Sequence, residues 1–269
     1  MLRILPVASG STGNCMLTDI DGRRILIDLG VSAAMLRSAL SANGYAFEDV
    51  DAVLITHTHS DHIKGLAVCM KRIHAPIFMS HTTKNTLMLE DAIALNYSAR
   101  MEILPGLWVT AIPTPHDCAG SIGFEIETAG TRLGYLTDLG VVPENAMELL
   151  SGSDCIVIES NHDEEMLRYG RYPVYLKKRI LSEHGHLSNK ACAEAVAQFA
   201  ARGTEYFLLA HLSQENNRPS LALESACRAT AGMNVQFEIL PVCGTRMITI
   251  PDTGKDHAPF RRGYCKKTL

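Results

Sequence analysis

Short apolar runs alternate with polar turns and with stretches of helical periodicity along most of the chain. Runs of four to eight apolar and β-branched residues predict strands at 4–8, 15–18, 24–29, 51–55, 76–79, 108–112, 122–128, 131–136, 155–159, 206–209 and 235–240. Helices are predicted at 33–43, 63–73, 82–95, 164–183 (interrupted near Pro173), 189–201 and 221–230. Because no repeat or linker divides this pattern, we predict one domain over residues 1–250 and a basic C-terminal tail over residues 251–269.

Polar residues of metal-binding type stand just past the ends of six predicted strands. They are Asp28, His57, His116, Asp138, Asn161 and His211. One such residue carries little information, but six indicate that several strands deliver polar groups to one rim. Strand ends at one sheet edge are common places for binding sites.

The densest of these groups is the segment from Thr56 to His62, which holds three histidines and one aspartate. Alternate residues of an extended chain point the same way, so His57 and His59 can reach one ion. Asp61 and His62 follow a turn and can reach a second ion. Neutral imidazole and carboxylate suit zinc, manganese or iron. A chance surface cluster is the alternative, and the position directly after a strand makes it the weaker one.

Composition and charge narrow the classes of function. The chain has 269 residues, 46% of them hydrophobic and 20% charged, with a formal net charge of -4. The negative net charge excludes a protein that binds nucleic acid through an overall basic surface, so any contact with nucleic acid must come from a local basic patch.

The eight cysteines are scattered without a Cys-x-x-Cys pair, as expected for reduced thiols. No signal-peptide pattern or membrane-spanning run is present, and we predict a cytoplasmic protein without membrane contact.

The polar residues at the strand ends, taken in their order along the chain, resemble those of the metallo-β-lactamase superfamily. The resemblance implies an α/β fold, an αββα sandwich of two mixed sheets flanked by helices. It also implies that Asp28 accepts a hydrogen bond that orients a metal ligand. The implied ligands are His57, His59 and His116 for one divalent ion, Asp61, His62 and His211 for a second, and Asp138 as the bridge between them.

Four further motifs are similar to those of one subgroup of that superfamily, the YycJ/WalJ proteins. The motifs span Ser9–Cys15, Glu159–Asp163, Gly185–Asn189 and His211–Asn217, and Thr12 stands where such proteins often have Ser. This resemblance implies a metal-dependent 5′-to-3′ DNA exonuclease. A hydroxide bound by two metal ions (zinc, manganese or iron) would be the nucleophile, and Asp61, Asp138 and His186 would be the catalytic residues.

The segment between Arg168 and Asn189 favours a nucleic-acid substrate, and the resemblance implies that this nucleic acid is DNA. Its Lys and Arg residues would neutralise phosphates, with Arg171 and Lys178 as candidate contacts. Tyr169, Tyr172 and Tyr175 are interleaved with them and could stack on bases. A solvated helix face with ordinary tyrosine packing explains the same pattern equally well.

Three residues near the motifs have two interpretations each. His186 is a candidate phosphate contact or proton donor to the leaving 3′-oxygen, against an incidental histidine in a helix-capping loop. Asn161 and Asn217 are candidate substrate contacts, and both could instead brace or close their loops.

Two other classes of function stay open. One is a small-molecule hydrolase of the same superfamily: a cyclic phosphodiesterase, a thioesterase or a lactonase. The other is a non-catalytic binding protein on a decayed hydrolase fold, which the complete ligand set disfavours. The sequence does not determine which metal is bound. It also leaves the oligomeric state open, and a dimer is one of the alternatives.

Overall fold

The structure of the protein is a computed structural model that describes residues 1–255. The predicted basic tail is therefore described only as far as Lys255, and the rest of it lies outside the described residues. The strands are β1 Leu2–Ala8, β2 Cys15–Ile20, β3 Arg23–Ile27, β4 Ala52–Leu54, β5 Ile77–Ser80, β6 Ile93–Leu95, β7 Arg100–Leu104, β8 Leu107–Pro113, β9 Ile122–Glu127, β10 Arg132–Leu136, β11 Cys155–Glu159, β12 Tyr206–Ala210, β13 Gln236–Ile239 and β14 Ile248–Ile250. The α-helices are α1 Ala33–Ser41, α2 Ser60–Ile63, α3 Leu66–Cys69, α4 His81–Leu87, α5 Glu144–Leu149, α6 Glu164–Tyr169, α7 Val174–Ile180, α8 Asn189–Ala201 and α9 Pro219–Ala229.

Within residues 1–255 the strands form two seven-stranded sheets. The first runs β14-β1-β2-β3-β4-β5-β6 and the second β13-β12-β11-β10-β9-β8-β7. Both sheets are mixed: hairpins pair β1 with β2 and β8 with β9 in antiparallel fashion, whereas β3, β4 and β5 pair in parallel, as do β10, β11 and β12.

Three apolar layers hold the sheets and helices together. A central cluster joins the inner faces of both sheets and contains Ile25, Leu54, Phe124 and Val157. A second cluster packs α1 and α3 against the first sheet, and a third packs α5, α8 and α9 against the second sheet. The alternation of side chains along each strand fills two layers at once, which explains why most strands are buried on both faces. The predicted αββα sandwich of two mixed sheets flanked by helices is confirmed.

Two predicted helices were wrong in extent. The helix expected at 82–95 ends at Leu87, because Met88 adopts a left-handed backbone with φ 51°. Residues Ile93–Leu95 then pair in parallel with β5 instead of continuing the helix. The helix expected at 63–73 is replaced by α2 and α3, which are separated near Gly65. There the Gly65 amide donates to Leu29 O, and a Cβ on Gly65 would lie 1.9 Å from Val31 O.

Besides β6, two strands were not predicted. β7 pairs with β8 through a tight turn, and β14 pairs with β1 although nearly the whole chain separates them. The short length of β14 and its distant partner leave no local pattern to detect. Among residues 1–255, none of the helices combines the length and apolar character needed to cross a membrane.

Candidate metal centre

The segment from Thr56 to His62 lies between the end of β4 and the first turn of α2. Thr56 O accepts a hydrogen bond from Ile122 N of the second sheet, which fixes the segment between the two sheets. His57 and His62 are fully buried, whereas His59 stands at the N-terminus of α2 and is partly exposed. The extended chain that continues β4 therefore directs these side chains into the gap at the sheet edge.

Three of the strand-end residues have a left-handed backbone. Asp28 follows β3 with φ 59°, Asp138 follows β10 with φ 56°, and His211 follows β12 with φ 56°. This conformation is uncommon for residues other than glycine and is found most often where function requires it. All three are nearly or completely buried.

The structure brings the seven predicted ligands together at this edge. His57, His59 and His116 can each offer an atom within 4.8 Å of the others. Asp61, His62 and His211 form a second group by the same measure, and Asp138 forms a third with His57 and His62. Asp138 also lies between the first two groups: its Oδ2 is 3.3 Å from His62 Nε2 of the second group, and its Oδ1 is 4.0 Å from His116 Nε2 of the first.

The donor atoms in this cluster fit divalent metal ions. His57 Nε2, His211 Nε2 and Asp138 Oδ2 are buried and have no hydrogen-bond partner among the described residues. Buried polar atoms are normally satisfied, so three orphaned atoms facing one cluster point to ligands that bind there. Imidazole nitrogen and carboxylate oxygen are a donor set for zinc, manganese or iron.

The second nitrogen of four ligand histidines is held from outside the cluster. His62 Nδ1 lies 2.7 Å from Asp28 Oδ2, and Asp28 Oδ1 in turn accepts from Thr56 N at 2.8 Å. The remaining three contacts are His57 Nδ1 with Thr56 Oγ1 at 3.0 Å, His116 Nδ1 with Gly185 O at 3.2 Å, and His211 Nδ1 with Glu159 Oε1 at 2.8 Å. Such contacts fix the tautomer and the ring orientation, and they leave the Nε2 atoms to face the cluster.

Burial and charge act on these histidines in opposite directions. Burial and the neighbouring imidazoles hold the pKa of His57 well below its usual range, which keeps the ring neutral and able to bind a metal. Burial likewise lowers the pKa of His116. For His62, burial opposes protonation, but the carboxylates of Asp138 and Asp28 raise its pKa to about 9. The carboxylates of this site thus favour positive charge nearby. In the absence of a metal, a protonated His62 supplies that charge, and a bound cation can replace the proton.

Glu159 is a candidate functional residue that the sequence analysis did not identify. It is completely buried at the end of β11, and its Oε1 lies 2.7 Å from His186 Nδ1 as well as 2.8 Å from His211 Nδ1. Its Oε2 accepts from Leu139 N at 3.1 Å and from Leu187 N at 3.3 Å. Burial opposes ionisation, but His186 and His211 hold the pKa of Glu159 well below its usual range. Its position at a strand end, like that of Asp28, was the available signal.

His186 lies at the rim of the cluster. Its side chain is 21% exposed, and its ring centroid lies 5.3 Å from those of His116 and His211. Burial lowers the pKa of His186, but the carboxylate of Glu159 outweighs burial and raises it. With Nδ1 engaged by Glu159, Nε2 is the atom available to a bound substrate.

Three loops interlock behind Asp61. Asn14 N donates to Asp61 O at 2.7 Å, and Gly30 N donates to Asn14 O at 2.8 Å. The Asn14 side chain lies 2.9 Å from His62 Nε2 and 3.2 Å from Asp61 Oδ2. The glycine-rich turn before β2 therefore positions the loop that carries the candidate ligands.

The four candidate substrate contacts divide into two kinds. Asn161 Nδ2 donates to His211 O at 3.0 Å, and Asn217 Nδ2 donates to Ser160 O at 2.8 Å and to Asn161 O at 3.0 Å. Both amides thus brace the loop that carries His211, and a direct substrate contact by either stays a prediction. Arg171 and Lys178 are exposed in the segment that contains α6 and α7.

Comparisons with known proteins agree with this architecture. Residues 23–212, more than half of the chain, match the model of the beta-lactamase superfamily domain. The chain is 33% identical over 243 residues to exodeoxyribonuclease YycJ of Bacillus anthracis, covering 87% of this chain and 92% of that protein. It is 31% identical over 259 residues to exodeoxyribonuclease WalJ of Streptococcus pneumoniae, covering 92% of this chain and 94% of that protein.

The fold is also that of solved structures. The metallo-beta-lactamase fold protein YhfI from Bacillus subtilis superimposes with a TM-score of 0.70 at 15% identity, covering 93% of this chain and 100% of that one. The predicted resemblance is confirmed on sequence and on fold. The chain belongs to the metallo-β-lactamase superfamily and is a hydrolase of that superfamily, similar to the YycJ and WalJ exodeoxyribonucleases.

Proposed function

We propose that this protein is a cytoplasmic, metal-dependent phosphodiester hydrolase that degrades DNA as a 5′-to-3′ exonuclease. The observation that carries the proposal is the convergence of six candidate ligands around a seventh, Asp138, with a protonatable histidine, His186, at the rim of the same cluster. The likeness to two exodeoxyribonucleases over most of the chain supports DNA as the substrate.

The residues would hold two divalent ions in the groups described above, with Asp138 contributing to both. Bound there, the ions would supply an activated water and would neutralise charge on the scissile phosphate. Asp28, Glu159 and Thr56 keep the ligand imidazoles in one orientation, so the site needs little rearrangement when a substrate arrives. Asp61 and Asp138 are the carboxylates on which this arrangement depends most directly.

His186 would donate the proton that the leaving 3′-oxygen needs. Glu159 holds Nδ1 and favours the protonated ring, so the proton on Nε2 is available to the substrate. After the transfer, solvent can reprotonate the imidazole because His186 is partly exposed. The carboxylate of Glu159 would stabilise the protonated ring.

The surroundings favour a chain-like substrate over a small molecule. Arg168, Arg171 and Lys178 are exposed in the α6–α7 segment, where they can meet backbone phosphates. Two other cations of that segment have structural partners: Lys177 Nζ donates to Arg168 O at 2.9 Å, and Arg179 pairs with Asp117 beside His116. The α6–α7 segment therefore presents exposed positive charge, and the ion pair between Arg179 and Asp117 holds it next to the metal centre.

Digestion of end-labelled DNA tests the proposal. Purified protein supplied with Mn²⁺ or Zn²⁺ should release the 5′ label as mononucleotide before the 3′ label. Asp138→Asn should abolish release, whereas Asp19→Asn, at another buried carboxylate that pairs with Arg3, should not. Absence of nucleotide release with every metal, or full activity in Asp138→Asn, would contradict the proposal. Turnover of a cyclic nucleotide without turnover of DNA would favour the small-molecule hydrolase instead.

A further inference from the structure

A cavity of about 390 Å³ lies between α6 and the loop that follows His211. Its lining includes Tyr169, Arg171, Tyr172, Glu215 and Asn216, and none of the candidate metal ligands contributes to it. This volume is within the range of small-ligand pockets. The cavity therefore has the size of a ligand site, and of its lining residues the proposed function above uses only Arg171.

Asn216 provides an unsatisfied polar group in the lining. The residue is only 2% exposed, and its Nδ2 has no hydrogen-bond partner among the described residues. Its backbone is fixed on both sides, since Asn216 N donates to Ser213 Oγ at 3.1 Å and Asn216 O accepts from Asp163 N at 2.9 Å. A buried amide without a hydrogen-bond partner destabilises the fold. A ligand with a hydrogen-bond acceptor would remove this destabilisation.

Gly170 leaves the space that the Asn216 side chain occupies in the wall of the cavity. A Cβ at position 170 would lie 2.6 Å from Asn216 Oδ1, so any other residue would displace the Asn216 side chain. The same glycine ends α6 and lines the cavity. The turn at the end of α6 thus leaves room for both the amide and a ligand.

Aromatic and charged side chains complete the lining. Tyr169 is 81% exposed although its ring is large and mostly apolar, and Tyr172 is half-buried beside it. Exposed aromatic rings next to an arginine are typical of sites where bases stack and phosphates pair. Tyr175 is 75% exposed in the neighbouring α7 but does not line the cavity.

The cavity is connected to the metal centre by short hydrogen-bonded links. Asn217, which follows Asn216, donates to Asn161 O, and Asn161 donates in turn to His211 O. The wall of the cavity and the loop of a candidate ligand are therefore parts of one braced structure.

We propose that this cavity binds one unpaired nucleobase of the DNA strand. The base would stack on Tyr169 and Tyr172, and the Asn216 side chain would turn toward the cavity so that its Nδ2 donates to an acceptor on the base edge. Arg171 would pair with a flanking phosphate. The inference rests on the proposed nuclease function and adds to it a site where the enzyme holds a single base away from the scissile bond.

A scan with single abasic positions tests this inference. Hydrolysis-resistant phosphorothioate single strands, each lacking one base, are titrated onto the full-length, metal-loaded protein and followed by fluorescence anisotropy. One position of the abasic site should weaken binding about tenfold, as expected for the loss of one stacked base. Tyr169→Ala should weaken binding of the intact strand by a similar factor and should remove the sensitivity to that position.

Tyr175→Ala is the matched control, because it removes an equally exposed tyrosine that lies outside the cavity. It should keep the sensitivity to the abasic position. If wild-type protein binds every abasic strand equally well, or if Tyr169→Ala keeps the sensitivity, the base site does not exist. If wild-type protein neither binds nor cleaves intact DNA, the proposed function itself fails.

Discussion

Glu159 Oε1 lies 2.7 Å from His186 Nδ1, and the same oxygen lies 2.8 Å from Nδ1 of the candidate ligand His211. One buried carboxylate oxygen therefore orients two imidazoles that we assign to different tasks. The arrangement couples the geometry of the metal centre to that of the proton donor. A change at Glu159 should affect both.

Glu159→Gln should lower metal affinity and kcat for DNA cleavage, each by about 10- to 100-fold. The amide keeps the size of the side chain but removes the negative charge that both imidazoles and two backbone amides share. Metal content by elemental analysis and kcat by nucleotide release measure the two effects. Glu125→Gln is the control, a buried carboxylate that pairs with Arg132 away from the centre. Normal metal content together with normal kcat in Glu159→Gln would contradict this role.

His186→Ala should keep its metals and lose about 10²- to 10⁴-fold in kcat on DNA. The loss should be far smaller with bis(4-nitrophenyl) phosphate, because 4-nitrophenolate leaves without a proton. The comparison of the two substrates separates proton donation from a general loss of activity. His184→Ala, two residues away and exposed, should behave as wild type. Equal losses on both substrates would argue against a proton donor.

Gly30→Ala should release the loop that carries Asp61. A Cβ at this position would lie 1.6 Å from Asp61 O and 2.7 Å from Asn14 N, so the two loops must separate. We expect a lower Tm and loss of bound metal, measured by thermal unfolding and elemental analysis. Gly130→Ala places its Cβ where no atom lies within 4 Å and serves as the control. A Gly30→Ala protein with a full metal complement would show that the close packing of Gly30, Asn14 and Asp61 is not needed for metal binding.

His162 should make the metal-free protein less stable in acid. The ring is 1% exposed, both nitrogens lack a hydrogen-bond partner among the described residues, and burial lowers its pKa to about 4. Because the folded pKa lies below the ordinary value near 6.5, the unfolded chain takes up the proton first as the pH falls. The free energy of unfolding should therefore decrease between pH 6.5 and pH 4, by about 3 kcal/mol from this group.

Urea unfolding of the metal-free protein at several pH values measures this effect. His162→Gln should flatten the decrease, whereas His74→Gln, at an exposed position, should follow wild type. An identical pH dependence in wild type and His162→Gln would mean that the ring gains a partner or solvent access in solution.

The sequence was most informative where polar residues follow predicted strands, because the ends of those strands meet at one sheet edge in the fold. His57 follows a short buried strand, and the parallel pairing of β3, β4 and β5 makes the ends of these strands meet, so the position of the cluster could be predicted. Asp138 and His211 could be predicted to join it because they also follow strands. The αββα arrangement came from the family resemblance and was not visible in the periodicity alone.

The misses have a common physical cause in long-range contacts. Nothing near Glu159 in the chain shows that its carboxylate will accept from His186, His211 and two loop amides. Ile93–Leu95 has an apolar pattern that suits a helix, and only its pairing with β5 makes it a strand. β14 forms a strand because it pairs with the free edge of β1 in antiparallel fashion. Such pairings depend on the assembled fold.

Anomalous diffraction from crystals of the metal-loaded protein, recorded at the absorption edge of the supplied metal, tests the central claim most directly. The account predicts two peaks in each chain, one bounded by His57, His59 and His116 and one by Asp61, His62 and His211, with Asp138 contacting both. A loaded protein without anomalous signal at this cluster, or with its metal bound elsewhere, would contradict it.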